Sequence, residues 1–177
     1  MKQSDIIKLD LMKFLRFQKQ YDCVCTECVN NADISAIKNQ KLIEIEIKIS
    51  KSDFKNELKH KSWKHDKYKD TQALKNTDWM RIPNKFFFCV PQEMEEWALK
   101  EIENINFKYG LIVWQEGLVY IRRQALHIHN DKLNNFVLIE FCKRITSELI
   151  NLKIQTNNDK QELEALKQGV LVVEGIK

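Results

Sequence analysis

Three side chains in the first third of the chain have types and spacing suited to chemistry on a phosphate: Asp33, Glu46 and Lys48. In residues 41–49 isoleucines alternate with charged residues, which predicts a strand. If residues 39–40 form a two-residue turn, Asp33 lies directly opposite Glu46, with Cβ atoms about 4.5–5.5 Å apart. Lys48 projects from the same face, because side chains two residues apart on a strand share a face.

Two facing carboxylates destabilise a hairpin unless a cation lies between them. Hard oxygen ligands at this spacing suit Mg²⁺, with Mn²⁺ as its substitute. Such an ion polarises a phosphodiester and lowers the pKa of a bound water. Lys48 would then position or deprotonate the attacking water, or stabilise charge developing on the phosphate. The alternative is that Glu44, Glu46 and Lys48 are only the solvated face of an antiparallel sheet.

A lysine-rich segment follows this strand directly, with eight lysines against three acids over residues 48–69. Ser50 lies three residues before Asp53, a capping-box spacing that predicts one helix from there to about Lys69. Lysines contact phosphates as point charges, so this surface would hold a nucleic acid backbone without reading bases. The predicted nucleic-acid-binding residues are Lys51, Lys55, Lys59, Lys61, Lys64 and His65.

An ordinary solvated helix face would account for the same lysines. The aromatic residues of this segment, Trp63 and Tyr68, are expected in the core rather than stacked on bases.

The remaining periodicity predicts an α/β (α+β) fold in the order α-β-β-β-α-β-α-β-β-α, a mixed sheet flanked by helices. The tail at 168–177 is compatible with a last strand or with a loose end. The other predicted elements are helices over 4–20, 92–103 and 131–152, strands over 21–29, 32–38 and 85–90, a loop over 70–84, and a hairpin formed by 111–114 and 118–121.

Composition limits the classes of protein that fit. The chain has 177 residues, 44% of them hydrophobic, which is enough for a core and too many for a disordered chain. Its net charge of +4 is mild, so any basic surface must be local. No stretch approaches the roughly 18 continuous apolar residues of a membrane span. The five cysteines and the absence of a secretory signal predict a cytoplasmic protein with reduced thiols.

Asp33 followed by Glu46-Ile47-Lys48 resembles the signature of the PD-(D/E)XK nuclease superfamily. The longer strings EIKISKSDFKNELKHK, KFFFCVP and YGLIVW, in that order, are similar to its MmcB-like branch of DNA-repair endonucleases. The resemblance covers residues 27–129. Ala32 stands where the superfamily nominally has proline before the aspartate.

The resemblance implies a restriction-endonuclease-like core, for which we expect a domain over residues 1–130. The C-terminal third is largely unmatched, and we expect 131–177 to be a helical extension packed on the same domain. It implies a Mg²⁺-dependent endonuclease or exonuclease that hydrolyses DNA phosphodiester bonds in repair or processing. The implied catalytic residues are Asp33, Glu46 and Lys48, with Glu27 joining Asp33 and Glu46 at the metal.

Two alternatives to a nuclease stay open. One is a catalytically silent nucleic-acid-binding or assembly module with the same fold, and the other is a plain interaction domain. A nuclease that cuts both strands gains from being a homodimer, although nothing in the residues requires it. The C-x-C-x₂-C run at residues 23–28 lacks a second pair of zinc ligands, so buried strand cysteines are the better interpretation.

Overall fold

The computed structural model describes residues 2–69 and 81–174 of the chain, with side chains up to residue 167. Most of the loop predicted over 70–84 therefore lies outside the described residues. The chain divides into two compact units, Met1–Phe141 and Cys142–Lys177. The first unit contains the sheet and the candidate site. The C-terminal extension, predicted to begin at residue 131 and pack on the same domain, stays a prediction.

Among the described residues the α+β fold class is confirmed. A π-helical turn (Phe14–Gln18) extends the first helix, and 3₁₀ turns precede the second strand (Val29–Asn31) and the fourth helix (Gln92–Met94). The helices are α1 (Gln3–Lys13), α2 (Lys51–His60), α3 (Ser62–Lys69), α4 (Glu95–Ile105) and α5 (Asn135–Glu174), and the strands are β1 (Cys23–Thr26), β2 (Ile34–Lys38), β3 (Lys41–Ile47), β4 (Lys85–Pro91), β5 (Gly110–Gln115) and β6 (Leu118–Arg123).

In the described part of the chain six strands form one mixed sheet in the order β1-β2-β3-β4-β5-β6. The pairs β1/β2, β2/β3 and β5/β6 are antiparallel. The pairs β3/β4 and β4/β5 are parallel, which requires crossover segments between those strands. Central strand β3 is therefore paired on both sides, so its backbone is rigidly fixed beneath the site residues.

The predicted hairpin register is confirmed, since Lys38 pairs with Lys41 and Ser35 with Glu44. Asn39 and Gln40 both have positive φ, 52° and 60°. Positive φ at both central residues is typical of a type I′ turn, whose twist matches that of the two strands. The two-residue turn thus places Asp33 and Glu46 level with each other.

Both faces of the sheet are covered by helices. The isoleucines Ile43, Ile45 and Ile47 of β3 pack on one face with Ile7 and Leu11 of α1. The opposite face contains a second apolar cluster that includes Phe54 of α2, Tyr68 of α3 and Ile102 of α4, together with Phe86 and Phe88 of β4. Glu44 and Glu46 point to this second face, because they alternate with the isoleucines.

The solvated-face alternative is wrong, because Glu44 and Glu46 are each only 1% exposed. The single helix predicted from Ser50 to Lys69 is also wrong. Ser50 does cap α2, its Oγ accepting from the Asp53 N–H at 3.1 Å, but the helix ends at His60 and α3 begins at Ser62. The tail is neither a strand nor loose as far as Glu174, because α5 continues to that residue.

Candidate active site

The Asp33 carboxylate is fixed immediately before β2. It follows a turn in which Asn30 and Asn31 have φ near +55°, and its Oδ2 accepts from the Ile47 N–H at 2.8 Å. Ala32 has φ −65°, the value that proline would impose, so alanine preserves the backbone at the position where the resembled signature has proline. The Asp33 side chain is 31% exposed, so its other oxygen is accessible to solvent.

Glu46 and Lys48 lie at the end of β3, where helix α2 covers the sheet. Lys48 Nζ donates to Glu46 Oε2 at 3.2 Å and to Glu57 Oε2 of α2 at 2.9 Å. The Lys48 N–H donates to the Cys89 carbonyl at 2.9 Å, which continues the pairing with β4. Lys48 is therefore held at both its backbone and its ammonium.

Two lysines approach the other Glu46 oxygen, Lys61 from the break between α2 and α3 and Lys64 from α3. Lys64 Nζ donates to Glu46 Oε1 at 2.6 Å and also contacts Glu44, while Lys61 Nζ is 3.4 Å from Glu46 Oε1. Lys61 also pairs with Glu57 at 3.0 Å. We call the six side chains that interlock in this way the Glu–Lys network: Glu44, Glu46, Lys48, Glu57, Lys61 and Lys64.

Two neutral residues hydrogen-bond the Glu44 oxygen that does not pair with Lys64. The Tyr68 hydroxyl donates to Glu44 Oε2 at 2.6 Å, and Asn30 Nδ2 lies 3.2 Å from the same oxygen. Asn30 Nδ2 also donates to the Arg81 carbonyl at 2.8 Å. Buried charges of this kind persist only when paired and hydrogen-bonded, and here three glutamates balance three lysines.

The charges in the site shift its pKa values in opposite directions. Burial raises the pKa of Asp33, and the neighbouring Glu46 charge raises it further. Burial opposes the charge on Glu46, but Lys64 and Lys48 overcome it and hold its pKa below the usual value. Burial likewise opposes the charge on Lys48, yet Glu46 and Glu57 keep its pKa above the usual range. Lys48 is therefore an ammonium at neutral pH, suited to donating hydrogen bonds rather than accepting a proton.

The donor chemistry of Asp33 and Glu46 fits a hard cation such as Mg²⁺. After burial, the Glu46 charge is the next cause of the raised pKa of Asp33, and a cation bound between the two carboxylates would offset that repulsion. Both Glu46 oxygens contact lysine ammoniums, so Glu46 would have to exchange Lys48 for the ion. Among the described side chains, those of residues 2–69 and 81–167, no three His, Cys, Asp or Glu gather as a metal site.

Glu27, which the resemblance adds to the metal ligands, lies beside α1. Its carboxylate is 3.3 Å from Lys8 Nζ, and the same ammonium is 3.9 Å from Asp33 Oδ1. Glu27 and Asp33 therefore share Lys8. The Glu27 side chain is 58% exposed, well outside the buried Glu–Lys network.

The comparisons with known proteins concern the fold. No protein-family model matches the chain, and no curated protein matches it. A solved structure, the SPO1766 protein of unknown function from Silicibacter pomeroyi, is similar with a TM-score of 0.61 and 16% identity, covering 86% of this chain and 92% of that one. The likeness is one of fold alone. In the part of the chain that the structure describes, no helix is both long and apolar enough to cross a membrane.

The predicted basic surface is only partly exposed. Lys51, Lys55 and Lys59 lie on the exposed side of α2, as predicted. Lys64 and His65 are 1% and 3% exposed, so their assignment to an exposed phosphate-binding surface is wrong. The physical reason is that the buried glutamates of β3 require cations, and α3 supplies Lys64 to them.

His65 is buried beside Lys64 and is uncharged at neutral pH. Burial and the adjacent Lys64 charge lower the pKa of His65 to about 4. Its Nδ1 lies 2.9 Å from the Tyr109 hydroxyl. The two aromatic residues of the segment differ: Tyr68 is buried in the core as expected, whereas Trp63 is 54% exposed and its assignment to the core is wrong.

Sequence reasoning missed Glu57, Lys64 and Tyr68 as partners of the strand glutamates. A signal was present, because these residues follow the buried Phe54 at helical spacing: Phe54, Glu57, Lys61, Lys64 and Tyr68. Phe54 identifies the face that packs on the sheet. Charged residues on that same face must be buried with it and therefore need partners.

Proposed function

We propose that this protein is a divalent-metal-dependent deoxyribonuclease, an endonuclease or exonuclease that hydrolyses phosphodiester bonds. One observation carries the proposal: the register of the hairpin sets Asp33 and Glu46 level at one end of β2 and β3, and the Lys48 ammonium lies 3.2 Å from Glu46 Oε2. The resemblance to the PD-(D/E)XK nucleases, and to their MmcB-like branch in DNA repair, agrees with this set of residues.

Each residue has a distinct role in the proposal. Asp33 and Glu46 would hold the cation, which when bound would polarise the phosphate and acidify a water. Lys48, protonated and fixed by Glu57, would donate a hydrogen bond to the phosphate oxygen that gains charge in the transition state. Glu27 would orient Asp33 through their shared contact with Lys8.

The exposed lysines of α2 would hold the DNA backbone. Lys51, Lys55 and Lys59 present three charges to solvent on α2, the same helix that supplies Glu57 to Lys48. Neutralising phosphates releases counterions, so binding should weaken steeply with salt. Replacing these three lysines with glutamine should lower the salt dependence of DNA binding without changing the fold.

A catalytically silent nucleic-acid-binding or assembly module is the second candidate. The observation that favours it is the occupation of both Glu46 oxygens by Lys48, Lys61 and Lys64. A site closed by its own ion pairs is stable without any cation. The two candidates therefore differ in whether Glu46 releases a lysine.

Cleavage of labelled single- and double-stranded DNA with Mg²⁺ or Mn²⁺ distinguishes the two. The proteins to compare are the wild type, Lys48→Ala, Asp33→Asn and the control Lys100→Ala, which removes an exposed lysine of α4. We expect cutting by the wild type and the control, lost in both site variants. Salt-sensitive binding without cutting would support the silent module. Equal cutting by all four proteins would assign the activity to a contaminant.

A further inference from the structure

The second unit of the chain has a regular apolar line along α5. Its positions follow one another at alternating intervals of three and four residues, the spacing of a heptad repeat. We call this line the heptad seam: Cys142, Ile145, Leu149, Leu152, Thr156, Asp159, Leu163 and Leu166. Six of the eight side chains are apolar, and the two polar ones are adjacent in the middle.

The leucines of the seam are exposed to solvent. Leu149 and Leu163 are 49% and 53% exposed, and Leu152 and Leu166 are both 61% exposed. Helix α5 is 40 residues long, far beyond the usual helix of a globular protein. A periodic helix of this length with an exposed apolar line is typical of one strand of a coiled coil in the absence of its partner helix.

The charges beside the seam favour a second copy of α5 as the partner, in parallel orientation. Every second seam position, at 142, 149, 156 and 163, is preceded by a flanking residue. In a parallel pair of identical helices that flanking residue faces the residue five places later in the second copy. The residues in these flanking positions are Glu148, Gln155 and Glu162 on one side and Lys153, Lys160 and Lys167 on the other.

Parallel pairing therefore joins opposite charges. Glu148 would face the second copy's Lys153, and Glu162 would face the second copy's Lys167. Glu148 already accepts from Arg144 at 2.9 Å and can keep that bond while Lys153 approaches. In an antiparallel pair the lysine side of one helix would face the lysine side of the other, which is repulsive.

We propose that α5 from Cys142 onward pairs with the same helix of a second copy as a parallel, two-stranded coiled coil. Apolar burial of the seam supplies the affinity, and the flanking Glu–Lys pairs set the direction. Thr156 and Asp159 place polar side chains at the interface, and the two facing Asp159 carboxylates repel each other, which lowers the affinity. The proposal is independent of the nuclease hypothesis, because no residue of the seam belongs to the candidate site.

The oligomeric state of the full-length chain tests the proposal, measured by sedimentation equilibrium over a concentration series. Leu149→Glu places a charge in the seam, and Ile154→Glu is its matched control. Leu149 and Ile154 are 49% and 54% exposed on the same helix, but Ile154 lies off the seam. We expect a dimeric wild type, a monomeric Leu149→Glu protein and a dimeric control. A monomeric wild type at all concentrations, or equal effects of both substitutions, would overturn the proposal.

Two further variants test the direction of pairing. Glu162→Lys alone would place two lysines opposite each other and raise the dimer dissociation constant several-fold, and adding Lys167→Glu would restore it. An antiparallel dimer gives the opposite result, because Glu162→Lys would then face an acidic flank and tighten the pair. Tightening would therefore refute the parallel arrangement.

Cys142 supplies an independent check, since it is exposed and occupies the seam. For helix axes about 10 Å apart and Cα atoms about 2.3 Å from each axis, facing Cα atoms lie about 5 Å apart, within disulfide reach. Diamide, which takes up the two hydrogens of a thiol pair, should cross-link the wild type into a covalent dimer. Cys142→Ser should abolish the cross-link, and a wild type that resists cross-linking would contradict an in-register parallel dimer.

Discussion

Replacing Lys64 with methionine is the sharpest perturbation of the Glu–Lys network. Lys64 is 1% exposed, and its ammonium contacts both Glu44 and Glu46. Methionine has a similar length and keeps the packing on the aromatic residues while removing the charge. Glu44 and Glu46 would then remain buried side by side without their shared cation.

Removing one partner of a buried ion pair costs about 3–5 kcal/mol, because the charge left behind is uncompensated. For a chain of this size each kcal/mol corresponds to about 2–4 °C, so the midpoint of thermal unfolding should fall by about 6–20 °C. The loss should shrink at lower pH. Burial already raises the pKa of Glu44, and without Lys64 that carboxyl gains a proton more readily in the folded state.

Urea unfolding of the wild type and Lys64→Met at pH 7 and at pH 5 measures both effects. Lys59→Met is the matched control, since Lys59 is exposed on the neighbouring helix and its loss should change stability by less than about 0.5 kcal/mol. Adding Glu44→Gln to Lys64→Met should recover part of the loss. A Lys64→Met protein as stable as the control at pH 7 would refute the view that Lys64 neutralises the strand glutamates.

Two further predictions concern the core beneath the site. The pKa of His65 is lowered to about 4, so the unfolded chain takes up the proton first as the pH falls below about 6.5. The free energy of unfolding should therefore fall by about 3 kcal/mol between pH 6.5 and pH 4. His65→Gln should flatten that part of the profile of urea stability against pH. A profile as steep in the variant would contradict the assignment. A Cβ at Gly110 would overlap the Phe87 ring and come 2.8 Å from the Ala125 backbone nitrogen. Gly110→Ala should therefore lower the free energy of unfolding, measured in urea, by about 1–3 kcal/mol. An unchanged urea midpoint would show that the strands can separate.

Much of the hairpin was predictable from sequence. Alternating isoleucines show which face of β3 is apolar, and a two-residue turn determines which residues pair with Glu44 and Glu46. The order of helices and strands also followed from periodicity, except that one helix was predicted where α2 and α3 are separate. Strand and helix periodicities can be predicted from sequence because each depends only on residues two to four positions apart.

The partners of the glutamates were not predicted, because they lie on the next two helices, beyond the span of a pattern of two to four residues. Alternation alone cannot show that β4 pairs parallel to β3 or that α2 and α3 cover the acidic face. The break at Lys61 was also missed, since lysine is a good helix former. Lys61 and Lys64 nevertheless both turn to Glu46, so burial of the glutamates prevails over solvation of the lysines.

Binding of Mg²⁺ tests the central claim most directly, because it requires no knowledge of the substrate. Titration calorimetry should compare the wild type, Asp33→Asn and Asp66→Asn, an exposed aspartate of α3. We predict one saturable site in the wild type and in the Asp66→Asn control, lost in Asp33→Asn. Absence of binding in the wild type, or equal binding by all three proteins, would contradict a cation site at Asp33 and Glu46.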